Sequence, residues 1–114
     1  MINGNRKGKA GERELCKALA NATDLSYRRT QQYNGTGLSD VVCEELPELH
    51  IECKRGKVVN IHKALEQVER DRGVDQLPLV CTRRDHDEWN VTIPLKHLAA
   101  VVEALGEAME GGGK

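Results

Sequence analysis

The 114-residue chain contains no Phe, a single Trp and two Tyr. Any core must therefore be mostly aliphatic. A chain this short buries roughly two-thirds of its unfolded surface, so one core is feasible, and a core this poor in aromatics often leans on a partner subunit. Closely spaced cysteine pairs are missing too. Cys16, Cys43, Cys53 and Cys81 stand far apart, and no CxxC pair exists to hold zinc. Each sits in an apolar run, as a small buried thiol does, which implies a reduced, cytoplasmic protein. No N-terminal apolar stretch resembles a signal peptide, and no run approaches membrane-spanning length, so no membrane partner is expected. Internal repeats and interior linkers are absent as well. The organisation expected is one domain over 1–110, with the Gly-rich 111–114 as a disordered tail.

The chain also lacks a strong net charge, which is −1 overall. Global charge does not announce a polyanion binder, but the distribution says more. Residues 1–63 hold 11 Lys+Arg against 8 Asp+Glu, while 64–114 hold 6 against 10. The first half could face a polyanion while the second faces away, although an ordinary mixed surface fits this count equally well.

The pattern of apolar residues supplies the elements. After a flexible lead-in over 1–9, a helix is expected over about 8–22, with Leu15, Ala18, Leu19 and Ala22 on one face. A short strand follows near 26–31, then a mobile loop over 32–38 containing Gly35 and Gly37. Two strand-like runs, 39–44 and 49–54, are separated by 45–48 and read as a hairpin. Asn60 and Gly73 are suited to cap a second helix with Ile61, Leu65 and Val68 buried. A strand over 77–82 is apolar almost throughout, as expected of a strand covered on both faces. A turn at 84–87 leads to a strand with Trp89, Val91 and Ile93 on one face. A last helix begins near Pro94, with Leu95, Leu98, Ala99 and Val102 on one side. The order αβββαββα predicts an α/β fold, a sheet with helices on both faces.

The hairpin carries the chemistry. If Cys43 faces Leu49 across the connection, Asp40 stands opposite Glu52, with β-carbons about 5 Å apart on one face. Two carboxylates that close repel unless a cation lies between them, and a hard ion such as Mg²⁺ prefers oxygen donors. A slip of one residue would move one acid to the other face. Alternation places His50, Glu52 and Lys54 together, with Ile51 and Cys53 opposite. Lys54 would then offset charge developing on a phosphate, and a bound metal would activate water for phosphodiester hydrolysis. Glu12 lies three residues before Leu15 and points along the apolar face of the first helix. A carboxylate aimed there needs a cation or an arginine. Each residue also admits a plainer role: Asp40 as a strand start, Glu52 and Lys54 as an exposed ion pair, His50 as a half-buried structural residue, Gln67 as a helix-surface amide.

The run Ser39-Asp40, then Ile51-Glu52-Cys53-Lys54, resembles the PD-(D/E)XK nuclease signature, with Ser39 where Pro is usual. Together with Gly11-Glu12-Arg13-Glu14-Leu15, Tyr27-Arg28-Arg29 and the Gly-containing loop, it is similar to archaeal-type and phage-encoded Holliday junction resolvases over about residues 7–70. The resemblance implies a restriction-endonuclease-like three-layer fold with a mixed central sheet. It implies Asp40 and Glu52 as metal ligands joined by the Cys53 carbonyl, Lys54 as catalytic lysine, Glu12 as supporting acid and Gln67 as an auxiliary group. Either Arg28 or Arg29 would touch phosphate near the site. Mg²⁺, replaceable by Mn²⁺, would be the cofactor, branched four-way-junction DNA the substrate, and a homodimer the working form.

Arg6, Lys7, Lys9, Arg13, Arg28, Arg29, Arg55 and Lys57 would surround the same cleft and contact the DNA backbone without reading sequence. Gln31, Gln32, Tyr33 and Asn34 could enter a groove or stack, or form a solvated polar loop. Two other readings stay open. One is a nuclease of nicked, flapped, damaged or linear duplex DNA, and the other is a nuclease-fold protein that binds DNA without cutting it.

Overall fold

The computed structural model describes residues 4–30 and 39–112. The elements follow the expected order: α1 Gly4–Thr23, β1 Tyr27–Arg29, β2 Val41–Cys43, β3 Leu46–Gly56, α2 Ile61–Asp71, β4 Leu77–Arg84, β5 Asn90–Thr92, a 3-10 turn Leu95–His97, and α3 Leu98–Gly112. The strands lie in one sheet in chain order. β1, β2 and β3 form an antiparallel meander, β3 and β4 run parallel, and β5 returns antiparallel. The parallel pair needs a crossover, which α2 supplies. The sheet is therefore mixed and flanked by helices, as the sequence predicts.

Alternation along β3 and β4 sorts the two layers. Leu49, Ile51, Leu79 and Cys81 join Leu15 of α1 and Val101 of α3 in the main core. Val80, on the other face, packs with Ala64 and Val68 of α2. Each fully buried Leu, Ile or Val contributes roughly 1.5–3 kcal/mol. Cys43 and Cys81 are buried, Cys16 and Cys53 half-buried, and all four are free thiols. Gly11 faces β3, where an added β-carbon would lie 3.3 Å from Cβ of Arg55. A bare backbone there brings α1 close over the sheet. Asp24 ends α1 at φ 59°, with its N–H bonded to Ala20 O, a left-handed cap that Asp tolerates.

Several expectations need correction. α1 begins at Gly4, inside the segment assigned as a flexible lead-in, and Ala22 of its expected apolar face is exposed. On α2, Asn60 caps as predicted, accepting from Lys63 N–H. Ala64 and Val68 carry its burial, however, while Ile61 is 40 % exposed. The helix rolls so that the small Ala64 meets the sheet. α3 turns the other way as well. Val101 is buried and Ala104, Leu105 and Ala108 pack on the core, whereas Leu95 and Val102 are 84 % and 59 % exposed. α3 extends through Gly111 and Gly112, two residues assigned to the tail. The expected loop over 32–38, with Gln31, lies outside the described residues. No helix among those described is long and apolar enough to cross a membrane.

Candidate active site

The hairpin holds the expected register at one end only. Val41 pairs with Ile51, which places Asp40 against Glu52, but Cys43 pairs with Leu46 and not with Leu49. A register shift between Val41 and Cys43 absorbs the difference. The connection is thus a tight turn through Glu44 and Glu45 followed by an irregularity, the device strands use to re-aim side chains near sites. Main-chain bonds on both sides clamp Asp40. Its N–H donates to Ile51 O at 2.9 Å, and its carbonyl accepts from Thr30 N–H at 3.2 Å. Its side chain is fixed by the next strand, with Oδ2 accepting from Cys53 N–H at 2.9 Å.

Glu52 is almost wholly buried. Oε1 lies 3.0 Å from Nε2 of the equally buried His50, while Oε2 is buried with no hydrogen-bond partner among the described residues. Burial pushes the Asp40 carboxyl up, the Glu52 charge pushes it further, and the Cys53 N–H holds it back, leaving it at about 7. Burial opposes charging of His50, but hydrogen bonds to Glu52 and Gln76 outweigh it and raise its pKa. Lys54 is half-buried on the same strand face as Glu52, paired with none of the described residues. Two acids and one amine therefore share one face of the sheet.

An unpartnered buried carboxylate oxygen beside a second carboxylate is a costly arrangement unless a cation or a proton shared with Asp40 lies between them. Hard oxygen donors of this kind fit Mg²⁺, which keeps several waters and takes one or two protein carboxylates. No group of three or more His, Cys, Asp or Glu positioned for metal binding occurs among the described residues.

The remaining predicted residues divide. Glu12 of α1 pairs with Arg29 Nε at 3.0 Å and adds a small repulsion to Asp40, so it borders the site with an arginine as its partner. Arg28 points to the opposite side and pairs with Glu44, which separates the two arginines that the sequence leaves equivalent. Gln67 is half-buried on α2, the helix over the Glu52 side. Lys9, Arg13 and Lys57 are exposed. Arg55 is not brought to the acids. It faces α1, bonded to Glu14 at 3.2 Å and Asp85 at 2.7 Å, and Arg83 joins the same Glu14. Asp85 belongs to the acidic half and Arg55 to the basic half, so the two halves partly neutralise each other. The side chains of Arg6 and Lys7, and all of Tyr33, lie outside the described residues. Gln76, which sequence reasoning missed, contacts His50 from the approach to β4. A lone glutamine ahead of a strand carries no motif that would flag it.

A model of the phage PDDEXK endonuclease family matches residues 3–110. Among solved structures, the chain is similar to Archaeoglobus fulgidus Hjc, a Holliday junction resolvase from an archaeal hyperthermophile. The TM-score is 0.51 at 19% identity, over 75% of this chain and 73% of that one. A search of curated proteins finds no match.

Proposed function

The chain belongs to the phage PDDEXK endonuclease family, and from that membership we propose that it is a metal-dependent, structure-selective DNA endonuclease that resolves four-way junctions. The observation that carries the reading is the Asp40–Glu52 juxtaposition, with its unpartnered Glu52 Oε2 and with Lys54 on the same face. The fold shared with a Holliday junction resolvase supports the choice of substrate.

Asp40 and Glu52 would hold the ion through their carboxylates, with the Cys53 carbonyl beside them. A bound Mg²⁺, or Mn²⁺ in its place, would supply Lewis acidity toward the scissile phosphate. The Lys54 ammonium offsets charge developing on that phosphate. Glu12 would support the site from α1. Arg29, which pairs with Glu12, would contact backbone phosphate, and Gln67 would assist from α2. Lys9, Arg13 and Lys57 contribute sequence-independent attraction. A junction has two strands to cut symmetrically, which calls for a homodimer. The exposed apolar residues Leu95, Leu98 and Val102 offer a second copy its surface. The enzyme would act in the cytoplasm of an infected cell.

The deciding experiment compares an immobile four-way junction with a matched linear duplex, each with Mg²⁺ or Mn²⁺. Preferential, paired incision of the junction is expected. Equal rates on both would remove the resolvase assignment but keep the nuclease. Tight junction binding with no hydrolysis in either metal would remove the enzyme.

A further inference from the structure

His50 is fully buried, two residues before Glu52 on the same face of β3. A ring in that position needs a partner for each nitrogen. Nε2 meets Glu52 Oε1 at 3.0 Å and Nδ1 meets Gln76 Oε1 at 3.2 Å. A third contact fixes the direction of these bonds. The Gly73 N–H donates to the same Gln76 oxygen at 2.8 Å. A main-chain N–H can only donate, so this atom is the amide oxygen and the amide cannot be flipped. The oxygen accepts from the ring as well, so Nδ1–H donates to Gln76, and Nε2–H must donate in turn to the Glu52 carboxylate, which can only accept.

The far end of this relay is itself rigid. Gln76 N–H bonds to Gly73 O at 3.0 Å, and the Arg72 guanidinium donates to the Gln76 carbonyl at 2.9 Å. The turn leaving α2 thus holds Gln76, Gln76 holds His50, and His50 holds one oxygen of Glu52. The other oxygen, Oε2, is the unpartnered one.

We infer that His50, anchored through Gln76 by the turn after α2, is a positioning residue that fixes the Glu52 carboxylate and reserves Oε2 for the divalent ion. The inference rests on the metal-site reading proposed above. Its logic is that a carboxylate free to rotate must be ordered when the ion arrives, whereas a pinned one is ordered beforehand. Orienting partners of metal ligands commonly contribute in this way.

The test uses Mn²⁺ alone, titrated calorimetrically into the metal-free protein, with ¹⁵N NMR of the imidazole as a second readout. Gln76→Met removes the anchor at a half-buried position without touching the core. Gln76→Glu keeps an accepting oxygen, and His50→Phe fills the space without the bonds. The Mn²⁺ dissociation constant should rise about 10- to 100-fold in His50→Phe and in the same direction in Gln76→Met, and return to near wild type in Gln76→Glu. NMR of the wild type should show a protonated Nδ1 that loses its hydrogen-bonded shift in Gln76→Met. Mn²⁺ affinity unchanged by Gln76→Met, or an unprotonated Nδ1 in the wild type, would overturn the inference and leave the nuclease reading intact. A wild-type protein that takes up no Mn²⁺ would overturn both.

Discussion

The Cys53 N–H reaches across the hairpin to Oδ2 of Asp40 at 2.9 Å. One strand thereby supplies both Glu52, which repels the Asp40 charge, and the peptide that partly stabilises it. A carboxylate held this way has a fixed position before any ligand arrives, at an electrostatic cost that the metal-free protein carries alone.

That cost has a definite sign. The folded-state pKa of Asp40, about 7, lies above an ordinary aspartate value of about 3.9. Between the two, the folded state binds more protons than the unfolded chain, so this group's contribution to stability falls as pH rises from about 4 to about 7 and stays low above that. Asp40→Asn removes the contribution and can still accept from Cys53 N–H. Thermal melts of metal-free protein should show the variant more stable than wild type at pH 8, with the gap closing at pH 4. A gap of the same size at both pH values would contradict the electrostatic account.

Cutting should depend on the same residues in distinguishable ways. Asp40→Asn and Glu52→Gln should abolish junction cleavage while retaining junction binding, because removing negative charge beside phosphate does not weaken attraction. Lys54→Ala should lower turnover by about 10²–10³-fold, as loss of a transition-state charge partner does, with a smaller change in Mn²⁺ affinity. Single-turnover kinetics beside Mn²⁺ titration separates the two effects. Wild-type speed in Lys54→Ala would remove the lysine from the chemistry.

The neighbouring arginines of β1 should behave differently. Arg29→Ala leaves the half-buried Glu12 carboxylate without its partner, at a cost of about 1–3 kcal/mol, and should slow cleavage too. Arg28→Ala breaks only an exposed pair with Glu44, worth about 0.2–1 kcal/mol. Denaturant midpoints and cleavage rates of both variants test this. Equal losses would mean that pairing with Glu12 does not distinguish the two.

The helix-to-sheet tie at Glu14 gives a stability prediction with the opposite pH sense. Burial disfavours the Glu14 charge, but hydrogen bonds from Arg83 and Arg55 outweigh that and hold its pKa below 4.5. Its stabilisation is therefore present above the unfolded value and lost as pH falls through the lowered one. Glu14→Gln should destabilise at pH 7, by about 1 kcal/mol after allowing for solvent screening, with a cost that shrinks as pH falls below 4.5. Urea titrations from pH 7 downward decide it, and a cost that does not shrink with falling pH would point to packing.

Much of this was legible in the sequence because periodicity reports which face a residue occupies. Alternation in β3 placed Glu52 and Lys54 together, and the helical offset from Leu15 placed Glu12 toward the sheet in need of a cation or an arginine. The Asp40–Glu52 pairing was reached through an assumed register that holds at Val41–Ile51 and fails at Cys43, where the chain shifts. A local irregularity leaves no compositional mark, so the pairing came out as expected while the turn did not. Arg28 and Arg29 could not be separated without knowing which strand face α1 covers. The Gly73–Gln76–His50 relay joins segments distant in the chain through single polar residues, which no spacing rule marks. For α3, several registers of an Ala-, Val- and Leu-rich helix look equally apolar, and packing selected Val101 over Val102.

That last choice yields a test of assembly. Val101 is buried against the sheet and Val102 beside it is exposed, so adjacent valines on one helix should fail in different ways. Val101→Ala should cost about 2 kcal/mol by leaving a cavity and leave the oligomeric state unchanged. Val102→Glu should barely alter the melting of the monomer but place a charge in the middle of the apolar surface proposed to meet a second copy, a burial the pair could not tolerate. Light scattering should show wild type as a dimer and Val102→Glu as a monomer that still binds Mn²⁺. On a junction, that monomer should nick one strand without the matching second cut. A wild type that stays monomeric at high concentration, or a Val102→Glu variant that remains dimeric, would move the interface away from α3.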